Sequence, residues 1–445
     1  MKRLFGTDGV RGVANEELTP ELAMRIARAS AWVLGSGQRG CRFLIGSDTR
    51  LSSQMLTDAI ACGLCSVGAD AINVGVLPTP AIAFLTREYG LDAGIVISAS
   101  HNPFEHNGIK IFGSEGYKLP DEVEERIEAL VSNPDSITLA KGDKIGKRED
   151  KIEYRERYLA YLRAICTESL DGIEMAIDCA NGATSNIARE LFESLGAKCH
   201  MLACEPNGIN INEGCGSTHI ENVRDYVVKN ALDIGLAFDG DADRLLCVDE
   251  KGCVVDGDMI MASLAYDMKK RGALVKSTVV GTIMTNYGFE AFCKENDISF
   301  IPAKVGDRYV LEEMLLGGYS FGGEQSGHLI FGDYSTTGDG MLSAIMLLSL
   351  MKRKHLPLST LHSVMRRYPQ SLVNIEATKE QKLAFLTSPK IKQALEDTTK
   401  DLEGKGRVVA RPSGTEPLIR IMVECDEGAE EIASALSDKI REALS

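Results

Sequence analysis

A chain of 445 residues, 44% hydrophobic and 25% charged with 43 glycines, has room for three or four buried cores and shows no low-complexity tract. Its formal charge of -15 offers no basic stripe to neutralise phosphates. That speaks against nucleic-acid or anionic-membrane partners and requires any anionic ligand to meet a locally basic pocket.

The start, MKRLFGTDG, has no apolar core of a secretion signal. The longest apolar stretch, GMLSAIMLLSLM at 340–351, is short of the ~20 residues a membrane helix needs. A cytoplasmic protein is expected. Twelve cysteines without regular spacing read as reduced, mostly buried thiols. Cys62 and Cys65 form a C-x-x-C, but the helical periodicity of TDAIACGLCSVG places both on one apolar face, and no second pair completes a zinc site.

Three segments share one rhythm, starting at Phe43, Glu174 and Ser277: a β-branched run, a Gly/Asp/Ser/Thr turn, an amphipathic helix and a second apolar run. Each predicts strand, loop, helix, strand, so three related mixed-sheet α/β domains follow. The charged stretch 141–158 reads as a linker, the turn 249–258 as a second boundary, and the pattern changes again near Tyr368-Pro369. The tail predicts strands VNIEA, GRVVA and LIRIMVEC and a final helix, a small α+β domain. The expected division is 1–150, 151–255, 256–369 and 370–445, four domains around a shared cleft.

Five stretches carry chemistry. The run AGIVIS puts Ser100 just past a strand's carboxyl end, where open α/β sheets bind ligands. The sequence S-A-S-H-N-P lacks the G-x-S-x-G elbow of a hydrolase, and adjacent loop side chains such as Ser100 and His101 often point apart. A plain polar turn is the rival reading. In LDIGLAFDGDADRLLCVDEKG an apolar strand ends at Phe238, and Asp239, Asp241 and Asp243 follow at alternate positions. An extended segment would put all three carboxylates on one side. Such like charges need a cation, and an all-oxygen set suits a hard ion such as Mg²⁺. The rivals are an acidic turn and a calcium loop ending at Glu250, which has Arg244 where that loop needs glycine.

Between β-like YSF and LIF lies GGEQSGH, in which Glu324 and Ser326 suit a polyhydroxylated ligand and His328 could carry a proton. A hairpin turn and a structural histidine are the alternatives. RPSGTEP, 411–417, offers Ser413, Gly414 and Thr415 as an anion nest flanked by Arg411 and Arg420, against an ordinary hairpin turn. Arg11, Lys110, Lys304 and Arg308 are loop cations that could make the acidic chain locally basic.

Taken in order, FGTDGVRG, SASHNP, DGDADR, GGEQSGH and RPSGTEP resemble the α-D-phosphohexomutase family over nearly the whole chain, from residue 5 to about 424. The resemblance implies four domains around a central cleft and an isomerase that moves a phosphoryl group within a hexose phosphate. It implies that Ser100 carries the phosphoryl group in the active enzyme and that Asp239, Asp241 and Asp243 hold Mg²⁺ against it. It casts Lys110 and His328 as acid/base helpers, and Arg244 and Arg11 as charge on the phosphoserine side. Glu324 and Ser326 become sugar ligands, and Gly306, Asp307 and Arg308 contacts during reorientation of a 1,6-bisphosphate. Gln325, with FGTDGVRG and RPSGTEP, is similar to the branch that interconverts glucosamine 6-phosphate and glucosamine 1-phosphate, feeding UDP-N-acetylglucosamine and peptidoglycan. The branch acting on mannose and glucose phosphates is the alternative. Only a small-molecule sugar phosphate is expected as partner, and a homodimer is one compatible assembly.

Overall fold

The computed structural model describes all residues except 1–3, 7, 36–39, 414–416 and 445. They form two compact units, Met1–Met284 with Ile298–Val364, and Thr285–Asp297 with Met365–Ser445.

The first unit holds three mixed sheets. Strands β1 (Val10–Val13), β2 (Arg42–Ser47), β3 (Asp70–Val76), β4 (Ala93–Ile97), β5 (His106–Gly113) and β6 (Arg148–Asp150) run in the order β1-β5-β4-β2-β3-β6. β4 is buried along its whole length and pairs parallel with β2 and antiparallel with β5. A strand covered on both faces needs a continuous apolar run, and AGIVI supplies it. Helices Pro20–Leu34, Leu51–Ser66, Thr79–Glu88 and Asp121–Ser132 belong to this region. Thr19 caps the first by accepting from Leu22 N.

Five strands follow: β7 (Glu174–Asp178), β8 (Lys198–Leu202), β9 (Ile234–Phe238), β10 (Leu245–Asp249) and β11 (Val254–Val255), ordered β11-β10-β9-β7-β8. β9 and β10 form a hairpin closed by Phe238 opposite Leu245. The third sheet contains β12 (Thr278–Thr282), β13 (Ser299–Ala303), β14 (Phe321–Gly323) and β15 (Leu329–Phe331), ordered β13-β12-β14-β15. GMLSAIMLLSLM lies in the buried helix Gly340–Lys354, capped by Asp339. Among the described residues no helix is long and apolar enough to cross a membrane.

In the second unit β16 (Gln370–Glu376), β17 (Gly406–Pro412) and β18 (Leu418–Cys425) form an antiparallel sheet ordered β16-β18-β17. Helices Lys379–Thr387, Pro389–Asp401 and Ala429–Leu444 accompany it; the first two were not foreseen. Helix Tyr287–Glu295, expected as part of the third α/β repeat, groups with this unit instead. The buried Glu424 carboxylate explains why: it accepts from Asn286 Nδ2 at 3.1 Å, Tyr287 N at 2.9 Å and Arg407 Nε at 2.6 Å. A buried carboxylate must be saturated this way to avoid a large desolvation cost.

All twelve cysteines are free thiols, seven of them buried. Burial pushes Cys199, Cys215 and Cys293 up to about 12, which keeps them inert. The shared apolar face expected for Cys62 and Cys65 is corrected: Cys62 is exposed and Cys65 only half-buried, because helix Leu51–Ser66 turns Leu56, Ile60 and Leu64 to the core instead.

Candidate active site

Past β4 the backbone turns sharply, and Ser100 sits in the left-handed region at φ +53°. That conformation is strained for a serine and persists only where its surroundings fix it. Arg50 does so from below. Its Nη2 donates to Ser100 O at 2.9 Å and Asn102 O at 2.8 Å, and its Nη1 to Pro103 O at 2.5 Å. Asp48 steadies Arg50 Nε at 2.8 Å and also accepts from Ser98 Oγ and Ser53 Oγ. Asn212 adds a bond to Ser100 O at 2.9 Å. The buried Ser100 Oγ then donates to Asp239 Oδ2 at 2.5 Å. His101 does not point away as expected, since its Nδ1 lies 3.5 Å from the same hydroxyl. Burial, then Arg244 and Arg11, lower that imidazole to about 4, so it is neutral near pH 7.

The three aspartates converge, but not by strand alternation. They occupy the turn between β9 and β10, where Ala242 is left-handed at φ +57° and its N–H returns to Asp239 O. Alternate spacing fits this tight turn as well as a strand, and that corrects the expectation. Carboxylate oxygens of Asp239, Asp241 and Asp243 lie within 4.8 Å of one another, all three residues buried. Thr79 Oγ1 at 2.6 Å and Lys110 Nζ at 2.8 Å satisfy Asp241 Oδ2. Yet Asp241 Oδ1 and Asp243 Oδ1 are buried without a hydrogen-bond partner among the described residues. Burial, then Asp243 and Asp241, push Asp239 well above the usual carboxylate range. Asp243 goes the other way, because Lys110, His328 and Arg244 outweigh burial. Crowded hard oxygens with orphaned lone pairs fit a divalent cation such as magnesium.

Cations gather on the same side. Lys110 Nζ lies 2.8 Å from Asp241 Oδ2, 3.3 Å from Asp8 Oδ2 and 3.5 Å from Asp243 Oδ2. Burial disfavours its charge, but these three carboxylates prevail and hold it above the ordinary lysine value. His328 Nδ1 is 3.7 Å from Asp243 Oδ2, and Gly338 N–H donates to its Nε2 at 3.0 Å. The neutral ring therefore carries its proton on Nδ1. Burial lowers its basicity, while Asp243, Asp307 and Glu324 raise it on balance. Arg244 N donates to Asp239 Oδ1 at 3.2 Å, and its Nε lies 3.8 Å from Asp243 Oδ1. Arg11 pairs with Asp8 through Nη2 and leaves a buried Nε without a hydrogen bond among the described residues.

The loop 324–328 closes the β14–β15 hairpin, with Gly323 opposite Leu329. Glu324 Oε1 accepts from Gly306 N at 3.1 Å; Gly306 sits at φ +126° before helix Asp307–Gly317. Gln325 Nε2 and Ser326 Oγ are buried polar atoms without a partner among the described residues, the pattern of a loop built for a ligand's hydroxyls. Asp307 joins the site through His328 Nε2 at 3.5 Å. Arg308 is not brought to the aspartates: its guanidinium meets Asp121 at 2.7 Å, Glu124 at 3.6 Å and Leu119 O at 3.2 Å.

In the second unit, Arg411 and Arg420 stand directly opposite on β17 and β18. Facing like charges are unfavourable, and a bound anion would reverse that. Ser413 is buried, its N–H bonded to Leu418 O and its carbonyl to Lys382 Nζ. Gly414 and Thr415 lie outside the described residues.

Sequence reasoning missed Asp48, Arg50, Thr79, Asn212, Asp8 and Lys118. The signal for the first two was present, since SDTR places a charge pair at the carboxyl end of the apolar strand β2.

Three mixed sheets and a small antiparallel one, with a strained serine after β4 held against the buried three-carboxylate turn between β9 and β10, define a phosphohexomutase fold. The chain belongs to the phosphoglucomutase/phosphomannomutase family: its alpha/beta/alpha domains I, II and III match residues 2–138, 156–252 and 256–368, and its C-terminal domain matches 372–442. It is 52% identical to the phosphoglucosamine mutase of Caldanaerobacter subterraneus subsp. tengcongensis, covering 100% of both chains. It is 50% identical to that of Clostridium botulinum strain Loch Maree, over 97% of this chain and 96% of the other. Among solved structures, a phosphoglucomutase/phosphomannomutase family protein from Burkholderia thailandensis superposes with a TM-score of 0.84 at 22% identity, covering 100% and 97% of the two chains. The N-acetylphosphoglucosamine mutase of Aspergillus fumigatus, in complex with GlcNAc-6P and magnesium, does so at 0.69 and 16%, over 99% and 96%.

Proposed function

We propose that this protein interconverts glucosamine 6-phosphate and glucosamine 1-phosphate through a phosphorylated Ser100 and a bound glucosamine 1,6-bisphosphate, supplying UDP-N-acetylglucosamine and peptidoglycan synthesis. The observation that carries the reading is Ser100 Oγ held 2.5 Å from Asp239 in the three-carboxylate turn. Asp239, Asp241, Asp243 and the Ser100 oxygen would hold Mg²⁺, which supplies positive charge to a transferring phosphoryl group.

Ser100 gives its phosphoryl group to O1 of the sugar: the Oγ–P bond breaks, the O1–P bond forms, and the O1 proton leaves to a base. Lys110, held protonated by three carboxylates, suits the acid role, and His328 in its neutral form suits the base. After reorientation the 6-phosphoryl returns to Ser100 and the 1-phosphate leaves. Arg11 and Arg244 balance charge on the phosphoserine. Glu324 and Ser326 take sugar hydroxyls, Gly306 to Arg308 guide reorientation, and Arg411, Ser413, Gly414, Thr415 and Arg420 grip the phosphate not in transfer. Four domains with boundaries near 150, 255 and 369, a cytoplasmic location and a homodimer complete the reading.

A coupled assay comparing glucosamine, glucose and mannose 6-phosphates tests it. Preferred turnover of the glucosamine ester is expected; preference for the mannose ester would overturn the assignment.

A further inference from the structure

The charged groups around the aspartate turn close on themselves. From Lys110 the contacts run to Asp8 at 3.3 Å, from Asp8 to Lys118 at 2.7 Å, and from Lys118 to Asp307 at 2.6 Å. They continue from Asp307 to His328 at 3.5 Å, from His328 to Asp243 at 3.7 Å, and back from Asp243 to Lys110 at 3.5 Å. Six side chains make the ring, Lys110, Lys118 and His328 alternating with Asp8, Asp307 and Asp243, and the least covered, Asp8, is 25% exposed. The two proton-handling groups, Lys110 and His328, stand on opposite sides of Asp243.

Lys118 and Asp8 are the members with no part in the chemistry above, and Lys118 is the one that joins Asp8 to Asp307. Without it Asp8 keeps Lys110 and Arg11, but Asp307 retains only His328 among the ion pairs of the described residues. Lys118 and Asp307 also line an open cleft of about 330 Å³ with Arg308, Glu312, Leu311 and Ile330. Asp307 opens helix Asp307–Gly317, directly after Gly306, whose N–H donates to Glu324. Arg308, one residue on, is tied to Asp121 and Glu124, so this turn is fastened to the first α/β domain at two successive residues.

We propose that Lys118 is a positioning residue for the mutase reaction: by clamping Asp307 to Asp8 across the first and third α/β domains, it keeps the sugar-binding turn and His328 in register with Lys110 while the bisphosphate is held between the two transfers. The inference rests on the mutase reading. A loosened clamp lowers turnover and lets bisphosphate escape, because a displacement of about 1 Å at a reacting group costs on the order of 100-fold.

The test is Lys118→Met beside Lys118→Arg, assayed with glucosamine 6-phosphate, with glucosamine 1,6-bisphosphate released per turnover counted by mass spectrometry. The expected result for Lys118→Met is kcat down roughly 10- to 100-fold, KM little changed and more free bisphosphate per turnover, with Lys118→Arg restoring most of the loss. Adding Asp307→Asn to Lys118→Met should cost less than Asp307→Asn alone, since both changes release the same clamp. Wild-type kcat and bisphosphate release in soluble Lys118→Met would overturn the inference. So would costs that add independently, or a deficit in both Lys118 variants that only follows the loss of folded protein. A wild-type protein without mutase activity would instead sink the reading beneath it.

Discussion

Among the described residues two groups of ligand-type side chains come close together, both in the first unit, and only one has the character of a site. Asp239, Asp241 and Asp243 crowd three carboxylates with two buried oxygens that have no hydrogen-bond partner among the described residues. Asp249, Cys253 and His362 also bring their ligand atoms within 4.8 Å. There, however, Asp249 Oδ1 accepts from Lys251 N and Cys253 N, Oδ2 meets His362 Nε2 at 2.9 Å, and Cys253 is exposed. The second group is content with its own hydrogen bonds. Closeness of ligand types does not make a metal site; unsatisfied charge does.

The comparison can be broken at either end. Ser100→Ala should cut mutase activity by on the order of 10³-fold or more, since the group-carrying atom is gone, as a coupled assay would show. Asp241→Asn should lose roughly 10²- to 10³-fold, and calorimetric titration should show weakened magnesium uptake. Unchanged uptake would mean that the turn is not the metal site.

Asp339 supplies an intermediate case, a buried carboxylate that burial raises to about 6 although Leu342 N and Tyr158 Oη donate to it. Between its ordinary 3.8 and about 6 the folded state holds a proton that the unfolded state releases, so stability from this group is present at low pH and lost as pH rises toward 6. Asp339→Asn keeps the helix cap. It should be more stable than wild type above pH 6, by up to about 3 kcal/mol, with the gap closing toward pH 4; urea melts across that range would measure it. The smallest effect belongs to His362→Asn. It should cost about 1–3 kcal/mol of stability and leave kcat and magnesium dependence unchanged. A change in metal dependence would make the second group a site after all.

The repeats, the three aspartates and the serine were legible because local pattern carries them: apolar runs of strand length, and charge too concentrated to stand without a counterion. What supports them was not. Arg50 reaches its carbonyl partners about fifty positions along the chain, and Lys118 meets Asp307 across 189; a single charged residue in a turn says nothing about such distant partners. The Asp239–Asp243 turn was misread as extended because alternate spacing suits both geometries and alanine is not a residue that announces a left-handed backbone. Helix Tyr287–Glu295 was placed with its sequence neighbours because only the folded chain shows Asn286 and Tyr287 bonded to Glu424.

The measurement nearest the centre is the intact mass of wild-type and Ser100→Ala protein after exposure to glucosamine 1,6-bisphosphate and magnesium. Wild type should gain a single phosphate that peptide mapping places on residue 100, and the variant none. Equal gain by both proteins, or an active wild type that never carries phosphate, would contradict the account.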